Sequence, residues 1–204
     1  MVLISSPQVA SSGAGVSILE PGGGDSIGRT FTIAGMAPGC AQVTIEIRDS
    51  SGTLIIPAST AIPDSDGYYT TNVTVMGDFS NASITVYCTA AGVGTGQTIG
   101  GINIQLNPII DTFALFSSPV GSTPPLQFTV KFNPWMGTDQ SVTLVLHRYS
   151  ATSTSKFEHM FSSNHPATQT YTIPFPDKGV YVAQFIFVNS LTTVTSRTYT
   201  KKVN

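Results

Sequence analysis

Two aspartates lead into a glycine at Asp64-Ser65-Asp66-Gly67, the spacing with which calcium loops begin. A full loop needs further oxygen donors and closes on a late glutamate. The residues after Gly67 supply neither, so the segment reads as a surface turn. Zinc asks for clustered cysteine and histidine. His147, His159 and His165 are well separated, and both cysteines lie in the other half of the chain. No Gly-x-Ser-x-Gly elbow marks a nucleophilic serine. Asp64 and Asp66 pose as a carboxylate pair, but no apolar pocket is indicated that would drive their pKa values apart. Gly22-Gly23-Gly24 and Gly92-Val93-Gly94-Thr95-Gly96 are rich in glycine, yet neither opens a helix, so they read as turns and not as phosphate loops. The expectation is a protein without catalytic residues, metal or cofactor.

Recognition chemistry is better represented. Trp135, the single tryptophan, stands beside Met136 in Asn133-Pro134-Trp135-Met136-Gly137, between two strand-like runs. Tryptophan and methionine are enriched in protein interfaces. Three roles are open to Trp135: an interface anchor, a stacking surface for a sugar face, or a plug over the end of its own domain. For a sugar, Tyr149, Tyr68 and Tyr69 are the residues expected to complete the platform. The candidate binding residues are therefore Trp135, Met136 and Tyr149.

Cys40 and Cys88 are 48 residues apart. That separation within an immunoglobulin-sized unit invites a disulfide. Alternation argues against it: Cys40 falls with Gln42 and Thr44, opposite Val43, Ile45 and Ile47, whereas Cys88 falls with Ile84 and Val86. Side chains on opposite faces meet only across a bulge, and the expectation is two free thiols.

The elements that must position these residues follow from composition. Of 204 residues 41% are hydrophobic and only 10% charged, against about 25% charged in an average domain. Serine and threonine, 23 and 27 residues, fill the polar gap. Such a chain is neither disordered nor a coiled coil. No run of about 18 apolar residues is present, so no membrane helix is expected. A net charge of −2 supplies no field for nucleic acid. Threonine suits a pleated, half-buried surface, which points to β-structure.

Alternating runs bounded by Gly, Pro, Asp and Ser divide the chain near Asn107-Pro108. Seven fall in residues 1–108: 15–20, 29–34, 41–48, 53–58, 68–75, 83–90 and 98–106. Seven fall in residues 109–204: 109–117, 126–132, 141–149, 156–161, 169–175, 180–188 and 192–203. That count predicts an all-β protein of two tandem immunoglobulin-like β-sandwich domains, the first preceded by a flexible arm. Val180–Val188 is apolar on both faces, as in a strand central to a packed layer or one exposing an adhesive face. The first domain has two basic and seven acidic residues, a balance of −5; the second has seven basic and four acidic, a balance of +3. Opposite signs on successive domains favour head-to-tail contact, or docking of the basic domain onto an acidic surface.

Asp177-Lys178-Gly179-Val180-Tyr181-Val182-Ala183 resembles the D-x-G-x-Y-x-C signature of immunoglobulin-like domains. There the tyrosine hydroxyl bonds back to upstream backbone and pins a turn. Ala183 stands in place of the cysteine and the core tryptophan is missing, which excludes antibody-type domains. Pro63-Asp64-Ser65-Asp66-Gly67-Tyr68-Tyr69 and Val16-Ser17-Ile18-Leu19-Glu20-Pro21-Gly22 resemble the turn and the first strand of bacterial immunoglobulin-like repeats.

That resemblance implies an adhesive, spacer or decorating role on a bacterial surface or a phage particle. The N-terminal Met1-Val2-Leu3-Ile4-Ser5-Ser6-Pro7 has no basic region and too short an apolar run for a secretory signal. The expectation is a structural protein of a virus particle, assembled in the host cytoplasm: a head decoration (cement) or fibre protein of a tailed phage. Its partners would be a major capsid or tail protein and copies of itself, without nucleic acid or membrane. The alternative is a cell-surface adhesin or carbohydrate-binding module recognising a host glycan.

Overall fold

The computed structural model describes residues 15–89, 96–106, 114–116, 125–132, 140–150, 153–162, 168–174, 176–190 and 193–204. The chain divides into two compact units, Met1–Pro108 and Ile109–Asn204. The described secondary structure is all β.

Unit 1 contains β1 (Ser17–Glu20), β2 (Ser26–Ile27), β3 (Thr30–Met36), β4 (Val43–Arg48), β5 (Ser59–Ala61), β6 (Tyr68–Thr74), β7 (Phe79–Cys88) and β8 (Gln97–Ile104). They form one sheet ordered β1-β3-β6 and a second ordered β2-β8-β7-β4-β5. Alternation sends Phe31, Ile33, Tyr69 and Val73 of the first sheet against Val43, Ile45, Ile47, Ile84, Val86, Ile102 and Ile104 of the second. The run at 53–58 does not form a strand. Asp49 and Thr53 close a tight turn, Leu54 makes one bridge to Arg48, and Pro57, which has no N–H for a ladder, precedes the short β5.

Unit 2 contains β9 (Ala114–Phe116), β10 (Leu126–Phe132), β11 (Ser141–Tyr149), β12 (Thr154–Ser162), β13 (Thr168–Ile173), β14 (Gly179–Val188), β15 (Thr193–Thr195) and β16 (Tyr199–Val203). One sheet is ordered β13-β10-β9; the other is ordered β12-β11-β14-β15, with β16 also on β14. Leu126, Phe128, Val130 and Phe132 pack against Val142, Leu144, Leu146, Phe161, Tyr181, Ala183, Phe185 and Phe187.

The expected strand 192–203 is broken in two, for a physical reason. Ile186 lies opposite Thr195, but Ala183 lies opposite Tyr199, so the register moves by one residue between β15 and β16. Ser196 fills the break: its backbone N–H donates to the Phe185 carbonyl at 2.8 Å, and its Oγ accepts the Phe185 N–H at 2.9 Å. The inserted residue flips the faces. It turns Tyr199 and Val203 into the core; in the β15 register both would point outward.

Two sheets face to face in each unit, antiparallel but for the short parallel β2–β8 pair of unit 1, and an apolar core in each unit make the chain a tandem immunoglobulin-like β-sandwich.

Candidate functional site

Of the sequence-predicted binding residues Trp135, Met136 and Tyr149, the structure describes Tyr149. Trp135 and Met136 lie outside the described residues. Tyr149 ends β11, half-buried, its ring stacked on His147 with centroids 6.2 Å apart; burial raises its phenol pKa. Tyr69 is a core residue, 1% exposed, with its hydroxyl donating to the Ser17 carbonyl at 2.8 Å. It therefore presents no ring face to a ligand and does not serve in the expected stacking platform. Tyr68, its neighbour on β6, points to the opposite side of that strand, half-buried.

The other candidates resolve into local structure. The Asp64 carboxylate accepts the N–H groups of Asp66 and Tyr68, each at 3.0 Å, and the Asp64 carbonyl accepts the Gly67 N–H at 2.9 Å. This carboxylate shapes a turn. His147 and His159 share a strand pair but opposite faces: His147 lies opposite Lys156, and His159 lies opposite Leu144 with its ring 4.2 Å from that of Tyr171. His165 lies outside the described residues. Among the described residues no three His, Cys, Asp or Glu side chains gather as a metal site.

The two cysteines are bonded to each other, which corrects the expectation of free thiols. The β4 alternation does not run back to position 40. The strand begins only at Val43, and Cys40 follows Gly39 (φ 80°) in a turn where its N–H reaches the Ala37 carbonyl at 3.2 Å. Freed from the strand, Cys40 packs on the core beside Cys88, whose β7 position lies opposite Val43, with 5.8 Å between the two Cα atoms.

The resemblance to a tyrosine corner is matched by geometry. The Tyr181 hydroxyl donates to the Asp177 carbonyl at 3.0 Å. Gly179, at φ 148°, lets this turn lie on the end of β11: a Cβ there would stand 2.5 Å from the Tyr149 carbonyl oxygen. Arg148 closes the corner with an ion pair to Asp177.

The most concentrated charged group is Glu46, Arg48 and Tyr87 on the outer face of the unit 1 sheet. One Glu46 oxygen accepts the Tyr87 hydroxyl at 3.1 Å, and the other accepts the Arg48 guanidinium at 2.8 Å. Arg48, then Tyr87, hold the Glu46 carboxyl below its ordinary value. The group is a satisfied surface network.

What remains is a surface. β14 is central in its sheet, between β11 and β15/β16, and its outward residues continue to the sheet's margins. Val180 and Val182 are buried, Ile186 is half-buried, and Val188 is 38% exposed. Met160 of β12, 69% exposed, and Ile186 both lie opposite Thr143 of β11 and flank it. Met160, Ile186 and Val188 thus form an apolar corner on the outer face. The two-faced apolar run of β14 signalled this in the sequence; Met160 lacked such a signal because the two positions before it on the same face of its strand are Lys156 and Glu158.

No family model matches the chain, and no curated protein matches it. Solved structures are similar at low identity. Chicken interferon gamma receptor alpha chain is 12% identical over 93% of this chain and 97% of its own, with a TM-score of 0.36. The FN1–FN3 domains of chicken CNTN1 are 13% identical over 97% of this chain and 65% of theirs, with a TM-score of 0.32. Dimeric latent PorU from Porphyromonas gingivalis is 11% identical over 92% of this chain and 20% of its own, with a TM-score of 0.29.

Proposed function

We propose that this chain is a non-enzymatic structural protein that docks by protein–protein contacts on a repeating protein surface, as a head decoration or fibre protein of a tailed phage particle. The apolar corner of Met160, Ile186 and Val188 carries the reading, because exposed apolar side chains such as Met160 and Val188 on one sheet face mark interaction surfaces. A modest contact repeated many times on a lattice gains its strength by avidity. The Cys40–Cys88 bond supports service outside a reducing cytosol, where a released particle operates; in this reading the chain assembles with thiols, and on release the two thiols give two electrons and two protons to an extracellular oxidant such as dioxygen as the bond closes.

The test is cosedimentation with particles stripped of this chain. The wild type is expected to saturate the particles at a fixed number of copies, and Met160→Lys/Val188→Lys is expected to lose binding with its melting temperature intact. Absence of wild-type binding, or full binding by the double variant, overturns the proposal.

A further inference from the structure

Among the described strands β12 has one hydrogen-bonded neighbour, β11, and its other side ends the sheet. It is also unusually regular for an edge. Nine consecutive residue pairs join it to β11, from Ser141–Ser162 to Tyr149–Thr154, with no bulge and no proline. The other edge strands of the described residues are shorter. Long flat edges template pairing with another chain unless blocked. Charges commonly block them, and β12 carries two, Lys156 and Glu158.

These two charges have opposite sign and sit two residues apart on one face, in a mutual ion pair at 2.7 Å with both side chains 53% exposed. Between them, on the opposite face, Phe157 is 46% exposed. The pattern is self-complementary. If β12 meets β12 of a second copy antiparallel, continuing the sheet with its faces preserved, the two-fold axis must pass through a residue. An axis at Lys156 or at Glu158 sets like charges opposite each other, which is unfavourable. An axis at Phe157 sets Lys156 of each copy opposite Glu158 of the other, twice, and sets the two Phe157 rings directly across the axis. Ser155 then faces His159, and Thr154 faces Met160.

We infer that β12 is a homodimerisation edge, and that two copies pair antiparallel about Phe157. Main-chain hydrogen bonds and burial of the two Phe157 rings supply the affinity, as in strand addition. The reciprocal Lys156–Glu158 pairs set the register, since exposed ion pairs contribute specificity more than strength. This deepens the assembly reading and rests on it for its purpose. Dimerisation is read on the purified chain and docking on particles, so either can fail alone.

The experiment is sedimentation equilibrium on the chain at low salt with two charge variants, and oxidative cross-linking of three cysteine variants. The wild type is expected to dimerise. Lys156→Glu places four acids around the axis and is expected to weaken the dimer by about tenfold or more. The exchange Lys156→Glu/Glu158→Lys regenerates both the internal pair and the crossed pairs, and is expected to restore wild-type affinity. Phe157→Cys is expected to cross-link copies on mild oxidation. Ser155→Cys or His159→Cys alone is not, but the two variants mixed together are. A wild type that stays monomeric, a dimer indifferent to Lys156→Glu, an exchange variant that does not recover, or self-cross-linking at 159 in place of 157 overturns the inference.

Discussion

Tyr69 and Tyr181 each spend a hydroxyl on a backbone carbonyl, but in different surroundings. Tyr69 reaches from β6 to Ser17 of β1 within the core, and Gly35 lies beneath the contact; a Cβ there would strike the Ser17 carbonyl oxygen and the Tyr69 hydroxyl. Tyr181 bonds only four residues back, at the partly open end of unit 2. Removing one partner of a buried bond strands the other without water, which costs about 1–3 kcal/mol, whereas a typical bond contributes about 0.5–1.5 kcal/mol. Tyr69→Phe is therefore expected to destabilise more than Tyr181→Phe in urea unfolding. pH offers a second reading of the same residue. Burial, with Tyr68 adding to it, holds the Tyr69 phenol far above its ordinary 10.0. The folded state keeps a proton that the unfolded chain releases, so this contribution is whole below pH 10 and is lost as pH rises beyond it. Wild-type stability is expected to fall in that alkaline range, and more shallowly in Tyr69→Phe.

At the scale of strands, the threonine that replaces charge in this sequence works in pairs. Thr30–Thr74, Thr85–Thr98 and Thr129–Thr170 are each directly opposite across a ladder, with hydroxyl oxygens 3.0, 2.9 and 3.1 Å apart. A double-mutant cycle of Thr129→Val and Thr170→Val is expected to show a coupling of about 0.2–1 kcal/mol, with the double variant near wild-type stability. A coupling indistinguishable from zero would mean that water serves these hydroxyls equally well. The strands were legible to the extent that alternation reports them. β10 and β11 stand at 126–132 and 141–149 as read, and the Asp177–Tyr181 corner came from its motif. Alternation reports which face a residue occupies only while the strand lasts. It carried no signal that Cys40 lies in a turn, that β15 and β16 are offset by one residue, or that Pro57 stops a ladder. Those features depend on pairing and turns, which bring distant residues together. The outer-face neighbours Met160 and Ile186 were the least legible, because they stand on separate strands and only the pairing of both with Thr143 places them on either side of it.

For the molecule as a whole, the disulfide divides the two units. Cys40–Cys88 closes a loop within the core of unit 1, and the described part of unit 2 holds no cysteine. Cross-linking residues this far apart stabilises by about 2–4 kcal/mol, chiefly by restricting the unfolded chain. For a unit of roughly 100 residues, each kcal/mol moves the melting temperature by about 4–8 °C. Reduction, or Cys40→Ala/Cys88→Ala, is therefore expected to lower one calorimetric transition by some 10 °C or more and to leave a second in place. Phe128→Ala, which empties a fully buried position in unit 2, is expected to do the reverse at a cost of about 3–5 kcal/mol. If the two sandwiches unfold separately, each change shifts its own transition alone. A single transition that moves with either change would instead show that the units stabilise each other, so that the redox state of the first unit reaches the second.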